Sequence, residues 1–294
     1  IDIGAKPIFI NIDETLNMDP KDLESSINNK TSAIIPVHML GVATEQDKIL
    51  TIAKKYNIPV LDDACESLGA YWGDEKLGAQ CDVAAWSFDA GKTIIAGEGG
   101  MITTNSREIY LLAREYHDHG HMYNKNLPRG KDTHRIHGFN YRMTEIQAVI
   151  AKVQLGRLDY IVEKNQKNYA IIESALIETK GIKLRKIPKK CKPLCDTLII
   201  QFENKHIANN FVDMIKIEGL GSKNVPDAIE WHFVKYWDHM LSYFDMDINE
   251  LNNSIKTSSE ILEKCVALPI MVKTSENALK NQIQILRKVI KKII

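Results

Sequence analysis

The sequence predicts an α/β protein, in which a large, mostly parallel sheet flanked by helices is followed by a smaller α+β domain. Short apolar runs alternate with amphipathic stretches through the first half, which is typical of βαβ units. After a basic, proline-containing stretch at 181–193, a strand pattern, a helix ended by glycine and a terminal helix follow. A chain of 294 residues, 44% of them hydrophobic, is long enough to bury a substantial core.

The first half contains five apolar runs that we interpret as strands. They are IFINI at 8–12, AIIPV at 33–37, IPVL at 58–61, VAAWSF at 83–88 and GMITTN at 100–105. Amphipathic segments at 47–56 and 107–116 predict two of the intervening helices. A polar stretch rich in His, Arg, Gly and Asn follows at 117–142 and is predicted to be a loop.

A long helix is predicted to join the two halves. Thr144 and Gln147 form a capping-box pattern at its start, and apolar residues recur at helical spacing as far as Ile161. Further elements are predicted at 197–202 (strand), 206–218 (helix) and 275–291 (helix). We therefore expect a large domain over 1–165 and a small domain over 166–294.

Composition excludes several classes of protein. The 38 basic and 38 acidic residues balance to a formal net charge of zero, so no overall positive field favours nucleic acid or an anionic membrane. No apolar run approaches the roughly 20 residues that cross a bilayer, and the start has no signal-peptide pattern. We expect a protein with no nucleic-acid or membrane partner.

The five cysteines are scattered and odd in number, which favours reduced thiols in a cytoplasmic protein over a disulfide framework. Cys191 and Cys195 stand four residues apart, but a structural zinc ion needs two further ligands in a matching pattern, and the sequence offers none beside them. No metal site is predicted.

Polar side chains follow three of the predicted strands. His38 comes after AIIPV, Asp62 and Asp63 after IPVL, and Ser87 and Lys92 lie at and beyond the end of VAAWS. Ligands of open α/β sheets bind beyond the carboxyl ends of the strands, so these side chains are expected to share one edge of the sheet. An imidazole, a carboxylate, a hydroxyl and an amine would meet there.

This set of groups matches what pyridoxal phosphate requires from a protein. A lysine amine forms a Schiff base with a carbonyl compound, and a carboxylate keeps the pyridine nitrogen protonated. Ser87 and backbone amides near 97–100 are donors for anionic oxygens. Taken singly, each residue has a simpler explanation: Lys92 as a solvated lysine, Asp63 as a helix N-cap and the GEGG segment as a hairpin turn.

Together the motifs resemble the DegT/DnrJ/EryC1/StrS family of sugar aminotransferases, a branch of the fold-type I pyridoxal-phosphate enzymes. The main motif is SFDAGKTIIAGEGGMITTN, in which the matching residues are Ser87, Phe88, Lys92, Gly97, Glu98, Gly99, Gly100, Thr104 and Asn105. PVHMLG and VLDDACESLGA upstream and GFNYRMTEIQAVI downstream resemble further family motifs in the same order.

The resemblance implies a role for each matched residue. Lys92 would hold the cofactor and later move the proton between substrate and cofactor. Asp63 would pair with the pyridine nitrogen and Ser87 with the phosphate. Asn140 would reach the phosphate in the partner subunit, which implies a homodimer with shared active sites, and His38 would line the site.

Two departures from the family pattern matter. Glu66 stands where many relatives carry Gln or His near the 3′-oxygen of the cofactor, and a carboxylate there repels a phenolate unless one of them is protonated. The family's phosphate-gripping strand-turn-helix with Gly-Thr or Gly-Ser does not occur in this sequence. The chain therefore resembles an N-terminally shortened member.

Further polar residues are predicted to contact substrate. HDHGH at 117–121 has spacing compatible with zinc or nickel, but the family places a substrate-contacting loop here, so His119 and Arg142 are assigned to the substrate. His232 is a further substrate candidate, whereas Trp231 is expected to pack in the small domain.

The resemblance implies transfer of an amino group, from glutamate, to a nucleotide-linked 3- or 4-keto sugar for surface polysaccharide or aminosugar biosynthesis. An alternative is an eight-carbon keto-sugar acid of lipopolysaccharide, as in the 8-amino-3,8-dideoxy-octulosonate transaminases. The family resemblance is also compatible with a dehydratase, in which histidine replaces the lysine, and with a non-catalytic homologue. Lys92 argues against the dehydratase.

Overall fold

The computed structural model describes residues 2–222, 225, 233–244 and 246–294. Helices within these residues are α1 (Pro20–Ser26), α2 (Gln46–Tyr56), α3 (Arg107–Tyr116), α4 (Glu145–Leu155), α5 (Leu158–Leu176), α6 (Lys205–Ile217), α7 (Leu241–Phe244), α8 (Ile248–Ser254), α9 (Lys256–Leu262) and α10 (Glu276–Ile293). Strands are β1 (Leu61–Asp63), β2 (Tyr71–Trp72), β3 (Glu75–Lys76), β4 (Val83–Ser87), β5 (Gly100–Thr103), β6 (Lys183–Leu184), β7 (Cys191–Lys192), β8 (Thr197–Gln201) and β9 (Cys265–Pro269). The chain is a mixed α/β protein, as predicted.

The sheet that positions the candidate site has the order β1-β4-β5. β1 and β4 are parallel, with Asp63 opposite Ala85, and β5 returns antiparallel to β4. The AIIPV segment extends this sheet on the other side through single parallel bridges, at Ile34 and at Val37. Pro36 has no N–H to donate, which keeps this segment from forming a continuous ladder. The carboxyl ends of three parallel segments therefore lie side by side.

The AIIPV segment thus forms isolated bridges in place of the predicted strand, and two further sequence predictions are wrong in this half. The IFINI segment forms no strand, because the amides of Asn11 and Ile12 donate to Asp22 and to Ser258 instead of to a neighbouring strand. The long helix after Thr144 is two helices, α4 and α5, which meet at Gly156. The predicted capping box is present.

The second half has one large core and a smaller buried cluster at Phe244 and Leu251. β8 lies between β6 and β9 in an antiparallel sheet, and α5, α6 and α10 pack on it. Leu198, Phe211 and Leu286 are fully buried in this core. The predicted helix over 206–218 and the terminal helix are confirmed, and the first of them is followed by Gly219 at φ 82°.

The first half is packed differently. Its buried residues fall into separate smaller clusters, one between α1 and α2 and another that joins Phe88 and Ile94 to α5. Helix α4 buries none of its residues, and Ile146 is 75% exposed. Within the described residues no helix is long and apolar enough to cross a membrane.

Candidate active site

Lys92 lies in the turn-rich connection between β4 and β5, and its side chain faces a carboxylate. Its backbone N–H donates to Asp89 O at 3.0 Å, which closes a tight turn. The Nζ atom lies 3.5 Å from Oε1 of Glu66, and the two side chains are 23% and 26% exposed. This half-buried ion pair separates Lys92 from the solvated surface lysines of the chain.

The connection that carries Lys92 is anchored at both ends. Phe88 donates its N–H to Gly99 O and accepts from Ala96 N, each at 2.9 Å. Gly99 has φ 135°, and a Cβ added there would lie 2.7 Å from Cε of Met143. The backbone conformation therefore requires glycine here, whereas the methyl end of Met143 could move aside.

Glu66 is held from its other side by a backbone amide. Leu40 N donates to Oε2 of Glu66 at 2.9 Å, which leaves Oε1 for Lys92. Leu40 has φ 52°, an unusual conformation for a branched residue. The sequence analysis missed this contact, because a backbone amide carries no signal in the residue pattern.

Asp63 and Ser87 end the two parallel strands β1 and β4. Oδ1 of Asp63 accepts from Cys65 N at 3.1 Å, and Oγ of Ser87 accepts from Asp89 N at 3.2 Å. The Ser87 hydroxyl proton is then available to an anionic oxygen. An acceptor for a protonated ring nitrogen, a hydroxyl donor for a phosphate and a lysine amine at one sheet edge are the groups that pyridoxal phosphate needs, so these residues fit it.

The structure does not support the simpler explanations for Asp63 and for the GEGG segment. Residues 64–69 form no helix, so Asp63 caps none. The connection between β4 and β5 spans 88–99 and is far longer than a two-residue hairpin turn.

His38 lies in a buried network, which differs from its predicted place against a substrate. Nδ1 accepts from Thr44 N at 3.1 Å, so the proton is on Nε2, which lies 3.2 Å from Oδ2 of Asp62. Gln46 also donates to Asp62, at 3.0 Å. The imidazole has no exposed surface and both ring nitrogens are used, so it offers nothing to a substrate. His38 instead connects β1 to the turn that follows residue 38.

The polar loop after α3 is built around one buried carboxylate, Asp118. Arg129 binds it through both terminal nitrogens, at 2.6 and 3.0 Å, and Arg142 donates to it at 2.6 Å. The Tyr123 hydroxyl donates at 2.6 Å. Hydrogen bonding from Arg129 holds the pKa of Asp118 well below its usual range. Two arginines thus share one carboxylate, and both remain about half exposed.

Asn140 and His119 lie on the exposed side of this loop. Asn140 is bridged to Asp118 through the backbone. His119 has φ 56° and donates its N–H to Phe139 O. Gly120 follows at φ 82°, and a Cβ there would lie 2.1 Å from Ile136 O, so only glycine fits. The loop presents both polar side chains to the surface.

The histidines of this loop form no metal centre within the residues that the structure describes. His121 stacks obliquely on His134 at 4.6 Å between ring centroids and lies 3.3 Å from Asp132. The predicted substrate residue His232 and the packing residue Trp231 lie outside the described residues.

Comparison with known proteins identifies the family. The sequence model of the DegT/DnrJ/EryC1/StrS aminotransferase family matches residues 1–287. The chain belongs to this family. It is 28% identical over 295 residues to an uncharacterized Methanocaldococcus jannaschii protein, MJ1066, in a match that covers 97% of this chain and 74% of that protein. It is 41% identical over 157 residues to the GDP-perosamine synthase of Caulobacter vibrioides, which covers 53% of this chain and 41% of the relative.

Solved structures show the same fold. Helicobacter pylori PseC, an aminotransferase of pseudoaminic acid biosynthesis, superposes with a TM-score of 0.85 at 20% identity, over 99% of this chain and 75% of that one. The PMP-form of a putative sugar aminotransferase, Spr1654 of Streptococcus pneumoniae, gives 0.84 at 21% identity, over 100% and 78%. The predictions of a fold-type I aminotransferase and of pyridoxal phosphate as the family's cofactor are confirmed.

Proposed function

We propose that the protein transfers an amino group from glutamate to a keto-sugar linked to a nucleoside diphosphate. The observation that carries the proposal is the pairing of Lys92 with Glu66 beside the ends of β1 and β4, where Asp63 and Ser87 lie. Family membership supports the class of reaction.

Each residue has a defined task in this reaction. Pyridoxal phosphate supplies the electron sink that stabilises a carbanion. The Asp63 carboxylate accepts a hydrogen bond from a protonated ring nitrogen and keeps the proton there. The Ser87 hydroxyl donates to the phosphate. The Lys92 amine would take the proton from the amino-bearing carbon of glutamate and, in the second half of the reaction, would deliver a proton to the former keto carbon of the sugar, which is general acid–base catalysis.

The arginines around Asp118 support a diphosphate-linked substrate. Asp118 neutralises one of the two guanidinium groups, so Arg129 and Arg142 together leave a positive charge on a half-exposed surface. Arginine is well suited to phosphate because its N–H groups match two oxygens at once. We place Arg142 and His119 against the substrate, with His232 as a further contact.

The names of relatives favour nucleotide sugars over the eight-carbon keto-sugar acid. One relative is a GDP-perosamine synthase, and another is the UDP-4-amino-4,6-dideoxy-N-acetyl-beta-L-altrosamine transaminase of Campylobacter jejuni, 36% identical over 168 residues. The latter match covers 56% of this chain and 44% of the relative. We therefore propose a 4-keto sugar first and a 3-keto sugar second.

The exposed face of α4 supports a homodimer. Ile146, Val149 and Val153 are 75%, 61% and 63% exposed and share one face of the helix. An exposed apolar patch of this kind is typical of protein–protein interfaces and supports the proposed one. Asn140 lies just before this helix and is exposed, as required of a residue that reaches the cofactor phosphate of the partner.

Two domains and a cytoplasmic location complete the proposal. The boundary proposed at residue 165 falls inside α5, which packs on the large second-half core through Ile172 and Leu176 and on the first half through Leu158 and Ile161. All five cysteines are free thiols, which suits a reducing compartment.

A substrate panel tests the proposal. Protein loaded with pyridoxal phosphate is incubated with glutamate and, in turn, a 4-keto nucleoside-diphosphate hexose, its 3-keto isomer and an eight-carbon keto-sugar acid. We expect an amino-sugar product and 2-oxoglutarate from the first. Product from the eight-carbon acid alone would overturn the nucleotide-sugar assignment, and 2-oxoglutarate from none would overturn the aminotransferase proposal.

A further inference from the structure

Arg185 is a buried cation close to the candidate active site. It follows β6 in the second half and is 8% exposed. Its guanidinium donates to Thr15 O at 2.5 Å, to Met39 O at 2.8 Å and to Oδ1 of Asn17 at 3.3 Å. Within the described part of the chain it forms no ion pair at contact distance, and the carboxylate that acts on its charge is Glu66. A buried charge held only by neutral oxygens is costly and calls for an explanation.

One peptide group connects Arg185 to Glu66. The carbonyl of Met39 accepts from Arg185, and the N–H of Leu40, which belongs to the same peptide unit, donates to Oε2 of Glu66 at 2.9 Å. The peptide dipole therefore has its negative end on the cation and its positive end on the carboxylate. Oε1 of Glu66 then lies 3.5 Å from Nζ of Lys92.

The turn that contains this peptide is held in a strained conformation. Leu40 has φ 52° and Gly41 has φ 74°. A Cβ on Gly41 would lie 2.6 Å from Cβ of Leu194, whose N–H donates to Gly41 O. Positive φ at a leucine persists only where its surroundings impose it, and such positions cluster at functional sites.

Asn17 fixes the same turn from a second direction. Its Oδ1 accepts from Met39 N at 3.0 Å as well as from Arg185, and its Nδ2 donates to Val42 O at 3.0 Å. Both polar atoms of the buried amide therefore hold the turn on either side of the Met39–Leu40 peptide. Burial lowers the pKa of Arg185 to about 10, so the guanidinium remains charged at neutral pH.

We propose that Arg185 is a positioning residue, which acts through the Met39–Leu40 peptide to hold the Glu66 carboxylate against the amine of Lys92. The proposal rests on the proposed function only in taking Lys92 as the reactive lysine. Oε2 of Glu66 stays on the Leu40 amide and Oε1 faces the Lys92 amine. Arg185, in the second half of the chain, thereby determines the direction in which the Lys92 side chain points. No proton or electron is transferred in this role.

The test measures the reactivity of Lys92 without any cofactor. Full-length protein is treated with a trace of acetic anhydride across a range of pH, and acetylation of Lys92 is read by mass spectrometry. Arg185→Met should release Glu66 from Lys92 and so raise the acetylation of Lys92 at neutral pH by about threefold, the size expected for losing one half-exposed ion pair. Glu66→Gln should give a similar rise, and the double variant should rise no further.

The sign of the change distinguishes positioning from simple charge. If Arg185 acted only as a distant positive charge, its removal would stabilise the ammonium of Lys92 and lower its reactivity. A lower or unchanged reactivity in Arg185→Met, or a rise that adds to that of Glu66→Gln, would overturn the proposal. Arg287→Met is the matched control, because Arg287 also binds a backbone carbonyl, that of Ala175, but far from the site.

Arg185→Lys is the control for a folding defect, because it keeps a positive charge at the buried position. A single ammonium cannot reproduce the planar three-way contact, so acetylation of Lys92 should still rise over wild type, by less than in Arg185→Met. A pH profile of Arg185→Lys identical to that of wild type would contradict the role of the guanidinium geometry. Failure of the proposed function is read separately, as wild-type protein that forms no reducible linkage between Lys92 and pyridoxal phosphate.

Discussion

The two halves of the chain bury their apolar residues to different extents. The second half gathers most of its buried apolar residues, Leu198, Phe211 and Leu286 among them, into one large core beside a smaller cluster at Phe244 and Leu251. The first half divides its buried residues among smaller clusters and leaves α4 without a buried residue. The second half therefore buries most of its core residues together, whereas the first half leaves one whole apolar helix face, that of α4, on the surface.

The candidate active site lies in the less covered half. Lys92 and Glu66 remain about a quarter exposed, and the arginines around Asp118 are about half exposed. The second half nevertheless contributes Arg185, whose guanidinium is linked to Glu66 through the Met39–Leu40 peptide. We therefore expect separate tasks for the two halves. The well-packed second half would support the site, and the less covered first half would contact ligands and, in the proposed dimer, the partner subunit.

The largest effect is expected at Lys92. Lys92→Ala removes the group that moves the proton, so transamination should fall by about 10²–10⁴-fold from this loss alone. The activity is measured as 2-oxoglutarate formed from glutamate. Lys54→Ala, at an exposed lysine of α2, is the control and should keep full activity. An equal loss of activity in both variants, or full turnover by Lys92→Ala, would contradict the proposed role of Lys92.

Paired truncations compare the two halves directly. Leu198→Ala should lower the free energy of unfolding by roughly 2–5 kcal/mol, because the leucine is fully buried and leaves a cavity. Val149→Ala on α4 should change it by less than about 0.5 kcal/mol in dilute protein, since this valine is 61% exposed. Chemical denaturation measures both. Similar losses at the two sites would remove the distinction between the halves.

The exposed face of α4 is tested by charge. Ile146→Glu with Val149→Glu should abolish the dimer, because two carboxylates cannot be buried at an apolar interface without partners. Sedimentation velocity at several concentrations gives the assembly state. Ile217→Glu is the matched control, because Ile217 lies at the end of α6 in the second half of the chain and is 83% exposed. A dimer that survives the α4 changes would place the interface elsewhere.

Asn140→Ala should weaken retention of pyridoxal phosphate by about tenfold, the effect of one lost hydrogen bond to a charged group. The amount of cofactor that remains after dialysis measures it. If retention is unchanged in a variant that is still dimeric, Asn140 does not reach the partner's cofactor.

The smallest effect concerns pH and the loop around Asp118. Because Arg129 depresses the pKa of Asp118, the carboxylate stabilises the fold fully above its unfolded value, about 3.9, and this contribution is lost as the pH falls through the folded pKa. Asp118→Asn should therefore differ from wild type at pH 6 and converge towards it below about pH 4. Asp213→Asn, at an exposed carboxylate of α6, is the surface control in the same denaturation curves.

Much of the fold was predictable because it depends on local patterns. The capping box at Thr144, the glycine after α6 and the amphipathic helices are set by neighbouring residues, and the structure contains them. IFINI was predicted wrongly because its amides bind side chains distant in sequence, Asp22 and Ser258. The break at Gly156 was also missed, since apolar spacing continues across it.

The site was predictable to the level of side-chain type but not of contact. Strand ends indicated Asp63, Ser87 and Lys92, and the structure places them at one edge of the sheet. His38 was misplaced because strand-end logic does not reveal which way an imidazole faces. The role of Leu40 depends on a backbone amide in a positive-φ turn, which no pattern of side chains encodes.

The most direct test of the account is to locate the lysine that binds pyridoxal phosphate. Protein incubated with the cofactor is reduced with borohydride and digested, and the modified peptide is sequenced by mass spectrometry. We expect one adduct, on Lys92, in the peptide that spans Asp89 to Ala96. An adduct on another lysine, or adducts spread evenly over exposed lysines such as Lys54, would contradict it.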